Sequence, residues 1–136
     1  MIWRMKFMRF LKNIAPDWPL RTGLGLMYLY SGYDLIAHPS NWYGFAPQWF
    51  LDIVGLVLSQ DAYLRLQGAG ELIMGLVLLA WFLPRGFVRV VSLLMIAEMM
   101  GILLLAGIDL ITFRDLGLLG GALTLAILSW RDTAEV

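Results

Sequence analysis

The chain of 136 residues contains no cysteine. That excludes disulfides, thiol exchange and cysteine-ligated metal centres. There is a single histidine, His38. A haem held by two histidines of this chain is therefore impossible, and a zinc site of the usual Cys/His kind has too few ligands. Charge is also scarce: 15% of the residues are Asp, Glu, Lys or Arg, where about 25% is usual for a soluble domain. The ten basic and ten acidic side chains cancel, and no basic stripe suited to nucleic acid is present. Gly23-Leu24-Gly25 is not followed by a nucleotide-binding pattern, and there is no phosphate loop. No nucleophile is paired with a serviceable histidine base.

What the chain has in excess is apolar surface. Hydrophobic residues make up 60% of it, against about 45–50% in an ordinary soluble domain. A soluble fold of this length could not hide so much, so lipid must be part of the solvent. The expected fold is an all-α membrane protein: a bundle of four transmembrane helices, with a short interfacial or re-entrant helix between the first and second spans.

Residues 1–19 interleave Arg4, Lys6, Arg9 and Lys12 with Ile2, Trp3, Phe7 and Phe10. They lack the compact apolar stretch and small-residue cleavage site of a signal peptide, and read as a basic amphipathic interfacial segment closed by Pro16 and Pro19. Residues 20–130 form a single transmembrane domain with spans at about 20–37, 62–83, 87–108 and 110–130. Residues 131–136 are a polar tail. Between the first two spans, residues 38–49 are rich in turn formers, Trp and Tyr, which prefer the headgroup level and suggest a membrane anchor, with a binding lid as the alternative. The apolar run at 50–59 is too short to cross and predicts the interfacial helix. Gly25, Tyr28 and Gly32 share one face of the first span, and Gly117, Gly120, Gly121 and Thr124 share one face of the fourth; both faces suit close helix contact. With both termini inside, Arg4, Lys6, Arg9, Lys12, Arg21, Arg85, Arg89 and Arg131 fall on the inner side, and Arg65 and Arg114 on the outer. That bias predicts a multi-pass inner-membrane protein with cytoplasmic N- and C-termini.

Polar residues inside the spans are the candidate site. Glu71 and Glu98 both fall about nine or ten residues from the outer ends of their helices, roughly 13–15 Å deep at 1.5 Å per residue. Tyr28 falls at the same depth. Nearer the outer face come Ser31, Asp34, Arg65, Gln67, Asp109, Arg114 and Asp115. The inner half of every span is nearly free of charge. The pattern predicts a polar pocket that opens outward, with two glutamates at its floor. Asp34, Glu71, Glu98, Asp109 and Asp115 outnumber Arg65 and Arg114, an excess that calls for a retained proton, a bound cation or a compensating Arg. The plainer alternatives are that the glutamates are helix-packing contacts and that Arg114 pairs with Asp109 or Asp115 at the interface. His38 reads as a helix-end residue.

Several of these motifs occur in a familiar order. A Gly-rich first span runs from Arg21 to Ser31-Gly32, and a loop with Pro and aromatics follows. Gly68-Ala69-Gly70-Glu71-Leu72 comes next, and Arg114-Asp115-Leu116-Gly117-Leu118-Leu119-Gly120 opens the last span. Together, over about residues 18–130, they resemble the DoxX family of small four-helix integral membrane proteins. Asp34 stands where many members carry Lys. The resemblance implies an inner-membrane four-helix bundle, with some members linked to quinone-dependent sulfur oxidation or to membrane oxidoreductase complexes. Thiol-oxidation helpers occur in related families, but a chain without cysteine cannot do that chemistry itself.

The first functional reading is therefore an accessory or ligand-binding subunit of a membrane redox system. A quinone-like or other lipophilic molecule would be held by Glu71, Glu98, Arg65, Gln67, Tyr28, Asp34, Arg114 and Asp115. The chain has no evident redox centre and would need a membrane oxidoreductase partner, so by itself it is not expected to be an enzyme. The only cofactor envisaged is a bound quinone or lipid. The alternative is a non-catalytic, homo-oligomeric assembly protein; a third reading is a proton-coupled small-solute carrier.

Overall fold

The computed structural model describes residues 15–131. Most of the basic N-terminal segment and the polar tail after Arg131 lie outside the described residues. Regular structure among the described residues is helical throughout: α1 Asp17–Ala37, a 3-10 turn Pro39–Trp42, α2 Gln48–Val54, α3 Gln60–Leu79, α4 Arg85–Ala106 and α5 Phe113–Arg131.

The boundaries follow from local chemistry. Pro19 does not keep the chain out of α1, which starts at Asp17. Proline is tolerated in a first turn, where its missing N–H has no intrahelical partner to lose. His38 closes α1, its N–H donating to Asp34 O at 2.7 Å, and Pro39 follows. Helix α2, where a short interfacial helix was expected, begins two residues before the expected run and ends at Val54, with Gly55 as its C-cap. Ser59 caps α3, its Oγ accepting the Ala62 N–H at 3.2 Å. Gly107, at φ 78, ends α4 in a conformation that favours glycine. The last span then starts at Phe113 because residues 107–112 form a hydrogen-bonded turn. Asp109 Oδ1 accepts the N–H groups of Ile111 and Thr112 at 2.7 and 2.8 Å, and Thr112 Oγ1 donates to Gly107 O at 2.7 Å.

Helices α3, α4 and α5, of 20, 22 and 19 residues, are long and apolar enough to cross a membrane. The protein is thus a multi-pass membrane protein. The expectation of four spans is met by composition in these three helices only. At 21 residues α1 is long enough. However, Asp17, Arg21 and Asp34, together with its glycines and tyrosines, leave it less apolar than a lipid-facing span.

The helices associate as two pairs, α1 with α3 and α4 with α5. The first pair meets backbone to backbone. A Cβ on Gly32 would lie 2.6 Å from Gly68 O, and one on Gly68 would lie 2.7 Å from Gly32 O. Gly25 and Gly75 repeat the arrangement seven residues along each helix, at 3.2 and 2.8 Å. At Gly32, Gly68 and Gly75 such contacts leave no room for a side chain, and at Gly25 the fit is tight. The expected glycine face of α5 behaves differently. A Cβ on Gly117 or Gly120 would meet nothing within 4 Å, and one on Gly121 would only touch Leu20 and Leu24 at ordinary distances. Close packing is therefore a property of α1 and α3.

One end of the bundle is closed and the other is hollow. At the end holding the start of α1, Leu24, Leu78, Val88, Val91, Met95, Ala122 and Leu125 form a continuous buried core. Two arginines finish it. Arg21 Nε donates to Leu78 O at 2.9 Å and its Nη2 to Ala80 O at 3.0 Å, satisfying carbonyls at the α3 C-terminus, while its guanidinium stacks on Trp18. Arg89 Nε donates to Ser129 O at 2.9 Å and stacks on Trp130.

Candidate functional site

The hollow end contains a cavity of about 660 Å³, partly open to the surroundings, in the seam between the two helix pairs. Tyr28 and Ser31 come from α1, Gln67 and Glu71 from α3, Glu98 and Met99 from α4, and Arg114 and Asp115 from α5. The chain between α1 and α3 covers one side with Trp42, Phe45, Pro47 and Phe50. Most of the wall is apolar; the polar groups are concentrated at one place.

That place is a hydrogen-bonded cluster spanning three helices. Tyr28 Oη donates to Glu98 Oε2 at 2.7 Å. Gln67 Nε2 bridges the two acids, donating to Glu71 Oε1 at 3.3 Å and to Glu98 Oε1 at 3.2 Å. Ser31 lines the same cavity. Glu71 is 5% exposed and Tyr28 1% exposed, whereas Glu98 and Gln67 are half-buried. The spacing explains the meeting: Gln67 and Glu71 are four residues apart and share one face of α3. Tyr28 follows Leu24 and Gly25 on the inward face of α1. Among the described residues, no buried side-chain nitrogen or oxygen lacks a partner.

Of the residues singled out by sequence, Tyr28, Gln67, Glu71, Glu98, Arg114 and Asp115 all line the cavity. Arg114 is exposed and stands at the rim. No ion pair joins it to Asp109 or Asp115 among the described residues. Arg65 is exposed and does not reach the cavity. Asp34 also stays outside it. Its Oδ2 accepts from Trp42 Nε1 at 2.9 Å and its Oδ1 contacts His38 Nδ1 at 3.1 Å, so it fastens the aromatic loop to the end of α1. His38 is, as expected, a helix-end residue. Asp109 is exposed and serves its own turn, where the N–H groups of Thr112 and Ile111 hold its carboxyl below the usual carboxylate range.

The aromatic segment, read as a membrane anchor ahead of a binding lid, divides between an exposed part and a cavity wall. Trp49 and Tyr43 are exposed, as membrane-anchoring residues should be. Trp42, Phe45 and Phe50 instead turn into the cavity, and Phe50 packs edge-on against Tyr63 of α3 with ring centroids 5.6 Å apart. The available signal was the pair Pro39 and Pro47, which folds the segment back over the bundle instead of along the lipid surface. Tyr43 is fixed to α3 by a hydrogen bond to Asp61, which pushes the Tyr43 hydroxyl up from its ordinary range.

The cavity volume falls within the range of small-molecule sites, which are mainly apolar with a few convergent polar groups. Among the described residues, no group of three or more His, Asp or Glu could hold a metal ion. Comparison with family models, curated proteins and solved structures finds no match.

Proposed function

We propose that this protein is a ligand-binding or accessory membrane subunit whose pocket takes a lipophilic small molecule with a polar headgroup. The observation that carries the reading is the roughly 660 Å³ cavity with Glu71, Gln67, Glu98 and Tyr28 gathered at one spot of an otherwise apolar wall. An apolar body would bind by burial against Met99, Ile102, Phe45 and Phe50. Its headgroup would be oriented by the acids. Quinol hydroxyls can donate to both carboxylates, so a quinone-like molecule is one candidate. Electrons would then have to pass to a partner, as the DoxX-like motifs imply.

In this reading α1 is the fourth span. Its backbone contacts with α3 run along both helices, and its charges are handled at its ends: Arg21 caps α3, and Asp34 holds the loop. The basic residues at the closed end, Arg21, Arg85, Arg89 and Arg131, support an orientation with that end cytoplasmic and the cavity mouth outside. The closed core beneath the cavity argues against a solute path through a single copy.

A second reading has its own support. Tyr28–Glu98 and Gln67–Glu98 are hydrogen bonds across the seam between the helix pairs, which is what an assembly role for the glutamates requires. Native mass spectrometry of gently extracted protein, with lipid extraction of the same sample, separates the two. The binding reading expects a stoichiometric hydrophobic molecule that is lost on Glu71→Gln while the protein stays folded. A ligand-free protein or oligomer that falls apart in the same variant would favour the assembly role.

A further inference from the structure

The cavity is electrostatically one-sided, and this specifies its occupant more closely. Its charged lining consists of Glu71, Glu98 and Asp115 against Arg114 alone. Arg114 is exposed at the rim, and the groups that hydrogen-bond the two glutamates are the neutral Gln67 and Tyr28. No Lys, Arg or His among the described residues forms an ion pair with either glutamate. Two neighbouring acids withdrawn from water either retain a proton or take up a countercharge, and neutral donors supply only part of the latter.

The walls have the complementary property. Tyr30, Trp42, Phe45, Phe50 and Tyr63 line the same cavity. Trp42 and Phe45 lie 5.4 Å apart between ring centroids, and Phe50 and Tyr63 lie 5.6 Å apart. Aromatic rings attract organic cations through their quadrupoles, and most strongly in desolvated sites. A bare metal ion would gain little from such walls, and among the described residues no cluster of ligands could hold one. The oxidised form of a quinone, whose carbonyls only accept hydrogen bonds, would set acceptors against the carboxylates at the floor; only its quinol form could donate there.

We infer that the pocket selects a lipophilic organic cation: an aromatic or alkyl ammonium whose charge sits against Glu71 and Glu98 and whose apolar part packs on the aromatic wall. This rests on the binding reading above and names the ligand class for that same site.

The test is equilibrium dialysis of protein in lipid nanodiscs, with empty nanodiscs subtracted, against three radiolabelled probes. These are 1-methyl-4-phenylpyridinium, its uncharged near-isostere 4-methylbiphenyl, and decylbenzoquinone. The expected result is at least tenfold tighter binding of the pyridinium than of the biphenyl, with that preference abolished in the Glu71→Gln/Glu98→Gln double variant. Single Glu98→Gln is the second variant. Its amide oxygen can still accept the Tyr28 hydroxyl, so folding is retained, and it is expected to weaken the pyridinium severalfold while leaving the biphenyl unchanged. Equal or tighter binding of either neutral probe would overturn the cation inference and leave the pocket reading standing. Failure of all three probes to bind to folded protein would overturn both.

Discussion

The two seams of this bundle are built in opposite ways. Between α1 and α3, side chains are removed: Gly25, Gly32, Gly68 and Gly75 bring carbonyl oxygens to where Cβ atoms would be. Between that pair and α4–α5, at the hollow end, side chains are kept but do not fill the space, and polar groups bridge a cavity. In lipid, apolar surface alone drives helices together weakly, so close packing and hydrogen bonds do the work. The first seam uses packing and should be rigid. The second uses a few hydrogen bonds and can hold a guest.

The contrast is broken most severely at the glycine seam. Gly32→Ala or Gly68→Ala places a methyl group against a facing backbone oxygen that cannot step aside. Each is expected to cost about 2–3 kcal/mol in the unfolding equilibrium in mixed micelles, the upper range for overpacking. Next comes Arg21→Leu, which leaves the Leu78 and Ala80 carbonyls without their charged donor. A loss of about 2 kcal/mol is expected by the same measurement.

These expectations show how much the sequence made legible. The depth of Glu71, Glu98 and Tyr28 could be counted from the span ends, and the three do meet. The face of Gly25, Tyr28 and Gly32 was also readable, and it is buried. Its partner was passed over. Gly68 and Gly75 carry the same seven-residue spacing as Gly25 and Gly32, but the richer glycine face at Gly117 and Gly120 drew the reading and packs against nothing. Small residues permit close approach but do not choose the neighbour; the pairing of helices does. Arg65 and Asp34 were misplaced for a related reason. Depth alone does not say which side of a helix a residue occupies, and Arg65 lies on the exposed side of α3.

Smaller changes sharpen the comparison. Tyr28→Phe deletes the 2.7 Å hydrogen bond to Glu98 and keeps the ring. It is expected to cost about 1–1.5 kcal/mol and to leave the α1–α3 contact intact, as judged by cross-linking of cysteines introduced at the two helix ends. Gly120→Ala is the control for the glycine seam. With open space at its Cβ position, it should be neutral or stabilising by up to about 1 kcal/mol, through helix propensity.

The absence of cysteine makes the central claim directly testable, because any introduced thiol is the only one present. Gly101 lines the cavity, and Met95 is fully buried in the core of the closed end. In intact vesicles of known orientation, Gly101→Cys should react with a membrane-impermeant cationic thiosulfonate applied to the side holding the cavity mouth. Met95→Cys should remain unmodified from either side. Equal reaction of the two thiols, or protection of both, would contradict a bundle that is hollow at one end and sealed at the other.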